Sequence, residues 1–227
     1  MMSPEAQGGL GNGSLELRAQ TNKRDQLNFA NDSTKNAIDR AGTPYAMGMM
    51  GELGLLRRLD VYIIPSLIVS PTIYGLKYQF IGSPKKEAKR GNFSTSLIVG
   101  LGKRTEENID DDDISDFLEG NVEDLEVKTN HKDIGLILGY RWSEKFLHYV
   151  NAIYIHEQVD GKVTSDSGTL NETKYKFYQD GMIYSSGFIF YFGSAHLKLD
   201  YSHFVSDWSR TEKQTVNTAN FALGFNW

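Results

Sequence analysis

The sequence has no cysteine, only 5 prolines and no excess of basic residues. The absence of cysteine excludes disulfide bonds, thiolate metal sites and cysteine nucleophiles. A net charge of −5 argues against a general nucleic-acid binder, which needs a basic face. The longest apolar stretch, 61–80, contains Pro65 and Pro71 and many β-branched residues, so it favours strands over a membrane-spanning helix.

A secretory leader is also missing. Residues 1–9 contain no basic segment and no apolar core, the two parts that such a leader needs. We therefore expect either a protein that stays inside the cell or a mature chain whose leader has been removed.

The feature that dominates the rest of the chain is alternation of large apolar residues with small or polar ones. The chain is also rich in aromatic residues and in glycine, with 12 Tyr, 12 Phe, 3 Trp and 22 Gly. Alternation with a period of two is typical of β-strands that have unlike faces. It predicts roughly ten strands, at 14–20, 45–55, 59–69, 74–80, 93–102, 134–142, 147–157, 182–192, 196–202 and 220–227.

The connections between these strands are alternately short and long. The long, polar ones lie near 21–42, 103–130, 160–174 and 206–214. Links of two lengths at opposite ends of a meander indicate an all-β fold, a closed antiparallel up-and-down barrel of about ten strands. We predict a single domain over residues 1–227. Pro65 withholds a backbone donor, so we expect a bulge or a strand end there.

Two observations favour a transmembrane barrel, with its apolar face outward, over a soluble barrel that is apolar inside. Aromatic residues cluster near the strand ends, where membrane barrels carry their interfacial girdles. In addition, many glycines share the polar face, where they leave room for long side chains in a narrow interior. These glycines are Gly48, Gly54, Gly75, Gly100, Gly102, Gly135, Gly139 and Gly224.

The last strand carries a resemblance. Its pattern of Phe221, Leu223, Phe225 and Trp227 resembles the C-terminal assembly signal of Gram-negative outer-membrane β-barrel proteins, which ends in Phe or Trp after apolar residues at alternate positions. The resemblance implies an outer-membrane location, with both chain ends at the periplasmic rim and the long loops outside the cell.

The polar face of the predicted barrel carries charges of both signs. A lumen of about ten strands is nearly filled by side chains, whereas clear aqueous channels need about sixteen strands. Balanced charges in such a space predict a network of mutual ion pairs; the alternative is the lining of a selective pore. The predicted lumen charge network consists of Glu16, Arg18, Glu52, Lys77, Arg141, His196, Lys198 and Asp200.

The most unusual local feature is an acidic loop at 105–127, which has eleven carboxylates and no Lys or Arg within it. Carboxylate oxygens suit a divalent cation, the only cofactor that the sequence suggests; the candidate ligands are Asp110, Asp111, Asp112, Asp113 and Asp116. A second hypothesis is docking of a partner protein through Ile114, Phe117, Leu118, Val122 and Leu125. The third is a simple solvated acidic loop.

Enzymatic chemistry has little support. Ser202 and His203 are neighbours and point to opposite faces of a strand, so they cannot form a dyad. His203 and Asp207 share a face near the outer rim and are the one candidate pair for a lipid-modifying site. We predict no catalytic residues.

Three functions remain open. The first is a structural, anchoring or interaction role, as an accessory subunit of an envelope complex or an adhesin, through the long loops. The alternatives are a narrow channel and a membrane-embedded lipid-modifying enzyme. The expected partners are outer-membrane lipid and a protein at the outer loops or the periplasmic rim, where Arg57, Arg58 and the basic turn 85–90 lie; nucleic acid is not expected.

Overall fold

The protein is described by a computed structural model that covers residues 2–24, 45–65, 71–106, 122–165, 171–208 and 214–227. Within these ranges no helix is both long enough and apolar enough to cross a membrane. The strands are β1 Gly13–Arg24, β2 Tyr45–Leu56, β3 Leu59–Ile64, β4 Thr72–Ile81, β5 Phe93–Glu106, β6 Val122–Ser143, β7 Phe146–Ser165, β8 Asn171–Phe192, β9 Ala195–Trp208 and β10 Gln214–Asn226.

These ten strands form one closed antiparallel barrel in which each strand pairs with its neighbours in sequence and β1 pairs with β10. The closure is completed at the end of the chain, where the backbone amides of Gly13 and Trp227 donate to each other's carbonyl groups at 3.2 and 3.1 Å. We call this end of the barrel, with its turns after β2, β4, β6 and β8, the lower rim, and the opposite end the upper rim. The predicted fold class is confirmed.

Every predicted strand is found, but several have different bounds. β3 ends at Ile64, directly before Pro65, so the expected strand end is confirmed; the rest of the predicted strand, 66–69, lies outside the described residues. Strands β6, β7 and β8 are 20 to 22 residues long, much longer than predicted. Pairing therefore continues through 103–106, 122–130, 160–165 and 171–174, which the sequence analysis assigned to loops. Likewise, β1 extends to Arg24 and β9 to Trp208.

The outer wall carries a belt of exposed apolar residues. On β5 every outward residue from Phe93 to Leu101 is uncharged, and on β6 the same is true from Trp142 up to Ile134. Each span matches the length, about 9–11 residues, that a tilted strand needs to cross a bilayer. Tyr140 and Trp142 pack edge to face near the lower rim, with ring centres 4.8 Å apart, as in an aromatic girdle. This exterior is typical of a membrane-spanning barrel.

Above the belt, β6, β7 and β8 continue as a three-stranded projection, which we call the extended sheet. It comprises 122–132 of β6, 156–165 of β7 and 171–180 of β8. Its outward side chains include ionic and aromatic contacts: Lys128 pairs with Glu126 at 2.5 Å, and the Lys176 ammonium lies 5.2 Å from the Tyr178 ring centre. The extended sheet is therefore a polar surface built on the upper rim.

Candidate functional site

The lower half of the lumen is occupied by the segment that precedes β1. Residues 2–8, which we call the plug, fold back between the strands, and residues 2–7 are buried. Their backbone is held by the wall: Ala6 N donates to Gln79 Oε1 at 2.8 Å, and Lys77 Nζ donates to the carbonyl groups of Ser3 and Glu5 at 3.2 and 2.9 Å. The sequence analysis did not predict this segment as part of the barrel.

Glu5 attaches the plug to β6. Its carboxylate accepts two bonds from the Arg141 guanidinium, one of them 2.9 Å from Nε to Oε1. Asn92 Nδ2 donates to the same Oε1 at 2.9 Å, and the Arg141 guanidinium also lies 4.6 Å from the Tyr191 ring centre. A bidentate, buried pair of this kind fixes both the position and the orientation of the plug.

A second buried cluster lies where the plug meets β2, β3 and β4. The Lys77 ammonium pairs with Glu52 and, at 3.1 Å, with Asp60, and all three side chains are almost completely buried. Gln7 supplies the remaining donors: its backbone N–H reaches both Asp60 oxygens at 3.0 and 3.2 Å, and its side-chain amide donates to Glu52 at 2.9 Å. One ammonium thus compensates two carboxylates, with the plug providing the other hydrogen bonds.

The third cluster lies on β1 and β9, directly above. Glu16 is its centre: its Oε1 lies 2.5 Å from Lys198 Nζ and 3.1 Å from His196 Nε2, while its Oε2 accepts from Arg18 at 2.9 and 3.2 Å. These contacts join the first strand of the chain to β9. Since β10 lies between β1 and β9 in the closed barrel, the contacts form only when β1 pairs with β10. The cluster therefore stabilises the closed form of the barrel.

Asp200 forms a separate, mostly neutral network higher in the lumen. Its carboxylate accepts from Tyr149 Oη at 2.9 Å, from Asn220 Nδ2 at 2.6 Å and from Ser202 Oγ at 3.3 Å. With it, the structure places all eight residues of the predicted lumen charge network inside the barrel. Each contacts an oppositely charged or hydrogen-bonding partner, an arrangement of paired charges rather than a lining of like charges.

The glycines of the inner face leave the space that these groups occupy. A Cβ added to Gly139 would lie 2.3 Å from Pro4 of the plug, and one added to Gly75 would lie 2.0 Å from the Tyr62 ring. At Gly224 the added atom would lie 2.4 Å from the His196 ring. Such distances are far below van der Waals contact, so side chains cannot be accommodated there without displacing the plug or the clusters.

The structure also reveals lumen groups that sequence reasoning missed. An apolar cluster joins the plug to β2, β3 and β5 to β8, and it consists of Met2, Met50, Tyr62, Ile98, Ile137, Leu147, Tyr149, Ile189 and Tyr191. Higher up, His131 lies between Glu157 at 2.7 Å and Asp133 at 3.1 Å. His131 and Asp133 share the parity of Arg141 on β6, so continuing the predicted strand towards residue 122 would have found them.

Other predicted residues lie elsewhere. The four assembly-signal residues Phe221, Leu223, Phe225 and Trp227 are exposed on the apolar belt. Val122 and Leu125 were predicted in a partner-binding loop, but their backbones pair with Ser165 and Val163 in β6 and β7. The other loop candidates, Asp110, Asp111, Asp112, Asp113, Ile114, Asp116, Phe117 and Leu118, lie outside the described residues.

The candidate catalytic pair is not assembled. His203 and Asp207 lie on the outward parity of β9, and His203 Nδ1 contacts Asn217 Oδ1 at 2.8 Å instead.

A different pair, His148 and Ser186, is hydrogen-bonded at 3.0 Å on the outer wall. The pair lies beneath a groove of about 470 Å³ whose lining includes Leu138, Val150, Tyr184 and Tyr201. Within the described chain no carboxylate contacts His148, so the orienting group of a catalytic triad is missing there. In the same ranges, no three His, Asp or Glu residues are arranged to hold a metal ion.

Lys85, in the link between β4 and β5, shows how tightly the lower mouth is closed. Its ammonium turns inward, donates to Asn226 and lies 5.1 Å from the Tyr191 ring centre. Burial, together with the positive charges of Lys198 and Lys77, lowers the pKa of Lys85 from 10.5 to about 8.

This shift predicts a pH dependence of stability. Between pH 8 and 10.5 the unfolded chain holds the Lys85 proton and the folded chain does not, so the free energy of unfolding rises with pH in this window. We expect Lys85→Met to reduce that rise, as measured by urea unfolding in detergent across the same pH range. Lys89→Met, at an exposed position of the same link, should leave it unchanged; an equal effect of the two substitutions would contradict the assignment.

No protein-family description and no characterised protein sequence matches the chain. Several solved structures are similar to the chain. One is the attachment invasion locus protein Ail of Yersinia pestis, in complex with the heparin analogue sucrose octasulfate. Ail is 10% identical, the match covers 96% of this chain and 99% of Ail, and the TM-score is 0.41. Neisserial surface protein A is 7% identical over 96% of this chain and 99% of its own, with a TM-score of 0.39. The outer-membrane channel DcaP of Acinetobacter baumannii is 9% identical over 95% and 96%, with a TM-score of 0.29.

Proposed function

We propose that the protein is a closed outer-membrane barrel that anchors an interaction surface, and that it does not conduct solutes. The observation that carries this proposal is the occupied lumen. The plug fills the lower half. The side chains of Lys77, which contacts the plug, and of Lys198 are no more than 1% exposed, which leaves them without contact to a water-filled path.

The membrane placement is supported by the exterior. Apolar and aromatic residues face outward over a span that suits a bilayer, and a closed barrel satisfies every backbone group of its strands. The terminal strand, with its exposed Phe221, Leu223, Phe225 and Trp227, ends at the lower rim, which we assign to the periplasmic side. The extended sheet then projects from the outer surface of the cell.

The interaction role is supported by the extended sheet. Strands β6 to β8 continue well beyond the belt, although a barrel needs no such length to cross lipid. This projection presents lysines, carboxylates and Tyr178 to the exterior, and such side chains favour a protein partner of complementary charge. We therefore place the partner-binding surface on this sheet and the loops that it supports.

The closed lumen is tested by electrical recording of the purified protein in planar bilayers. We expect no steady conductance step under an applied voltage. A reproducible ohmic step from the intact chain would overturn the proposal and establish the alternative, a narrow channel.

The interaction surface is tested by photocrosslinking in cells. A photoreactive residue at Lys174 on the extended sheet should give a discrete crosslinked protein band. The same residue at Leu97 in the apolar belt, or at Lys89 on the lower rim, should not give that band. Identical patterns from all three positions would contradict the assignment of the partner surface.

A further inference from the structure

A pair of lysines lies at the upper edge of the apolar belt. On β5 the first charged outward residue above Leu101 is Lys103, and on β6 the first above Ile134 is Lys132; both are exposed. Register places Lys103 opposite Asn130 and Lys132 opposite Leu101. The two lysines are therefore diagonal neighbours on adjacent strands, about 7–8 Å apart at the backbone, so both ammonium groups can reach one anion.

The charges of these two lysines are not compensated by the described residues. Neither lysine forms an ion pair within the part of the chain that the structure describes, and the nearest acids are engaged elsewhere. Asp133 points into the lumen against His131, Glu126 pairs with Lys128, and Asp180 contacts His156 at 2.8 Å. Asn130, opposite Lys103 and two residues above Lys132 on β6, adds an amide donor on the same outward face.

The height of the pair determines what reaches it. Leu101 lies below Lys103 on β5, Ile134 lies below Lys132 on β6, and Tyr74 is opposite Leu101 on β4. These three side chains are 59%, 48% and 62% exposed, so they contact acyl chains in a membrane. A group at the level of Lys103 and Lys132 is therefore at the depth of the lipid headgroups. Basic residues at this depth attract anionic headgroups, and a phosphate accepts charge-assisted hydrogen bonds from ammonium groups.

We infer that Lys103 and Lys132, together with the adjacent Asn130, form a binding site for the phosphate group of an outer-leaflet lipid. The site rests on the membrane placement proposed above, but not on whether the lumen conducts. Its ligand is a phosphorylated glycolipid whose acyl chains lie against the apolar belt while its phosphate lies between the two ammonium groups.

The test uses the full chain in detergent with lipid A as the probe. We expect diphosphorylated lipid A to bind more tightly than its dephosphorylated form, and the double variant Lys103→Gln/Lys132→Gln to lose about 30-fold in affinity for the diphosphorylated form. Lys103→Arg/Lys132→Arg should retain binding. The matched control is Lys89→Gln/Arg90→Gln, which removes the same charge at the lower rim and should bind like the parent chain.

Several results would overturn the site. These are equal binding of both forms of lipid A, an unchanged affinity in the glutamine variant, or an equal loss in the lower-rim control. Displacement of lipid A by inorganic phosphate at comparable concentrations would also overturn it, since it would indicate a soluble anion as the ligand. Conductance of the same samples is recorded separately. A conducting barrel would contradict the proposed function, but it would not change how the lipid A affinities are interpreted.

Discussion

Replacing Lys77 by methionine is expected to lower the free energy of unfolding by ~3–5 kcal/mol, the cost of leaving buried charges without their partner. The Lys77 ammonium is completely buried and is the cation that compensates both Glu52 and Asp60. It also donates to two carbonyl groups of the plug, at Ser3 and Glu5. The substitution therefore leaves two facing carboxylates without a cation and removes two of the hydrogen bonds that hold the plug.

The measurement is urea unfolding of the barrel in detergent micelles. The folded fraction at each urea concentration is read from the mobility of the unboiled protein in electrophoresis. Adding Glu52→Gln and Asp60→Asn to Lys77→Met should restore part of the lost stability. The reason is that neutral amides then replace two carboxylates that repel each other. Lys89→Met, at an exposed position of the lower rim, should change stability by less than ~0.5 kcal/mol. If Lys77→Met behaved like this control, the buried cluster would not be a stabilising element.

Much of the lumen could be predicted because a strand has a period of two. Once alternation fixes which residues face inward, Glu16, Arg141 and Lys198 must enter the same narrow space, and their opposite charges predict pairing. The partners themselves were not predictable. Which of several carboxylates contacts Lys198 depends on closure between β1 and β10, and that register is not visible in any local pattern.

The extended sheet was missed for a related reason. In 122–132, 156–165 and 171–180 both faces of the strands leave the lipid, so polar residues occupy both parities and alternation disappears. Polar sequence without a period was interpreted as loop. Only the continuous pairing of β6, β7 and β8 shows that these residues are strands, and tertiary pairing of this kind overrides local propensity.

The plug had no signal in the sequence at all. Residues 2–8 contain neither a period nor a charge pattern, and their partners are far away: Arg141 is 136 positions from Glu5, and Lys77 is 72. Its one indirect trace is Gly139, which the sequence analysis interpreted as leaving room for long side chains of the inner face; the space beside it is occupied by Pro4 instead.

Deleting residues 2–8 is expected to convert a silent barrel into a conducting one. The deletion removes the backbone that crosses the lower lumen and frees the side chains of Arg141 and Gln79, which now hold it. Arg141 then faces water without Glu5, and the lower mouth opens to solvent. In planar bilayers we expect the intact chain to show no step and the deletion variant to show a steady ohmic step of small conductance.

A synthetic peptide of residues 1–8 gives the control. Added on the side of the lower rim, it should block the current of the deletion variant, because it can restore the Glu5 pair and the Gln7 contacts with Asp60. The same peptide with Glu5→Ala should block at least tenfold less well, since losing one buried charged partner costs more than the ~1.4 kcal/mol that corresponds to a factor of ten. A deletion variant that folds and stays silent would show that the strand side chains close the lumen by themselves, and the plug would then be an element of stability rather than a seal.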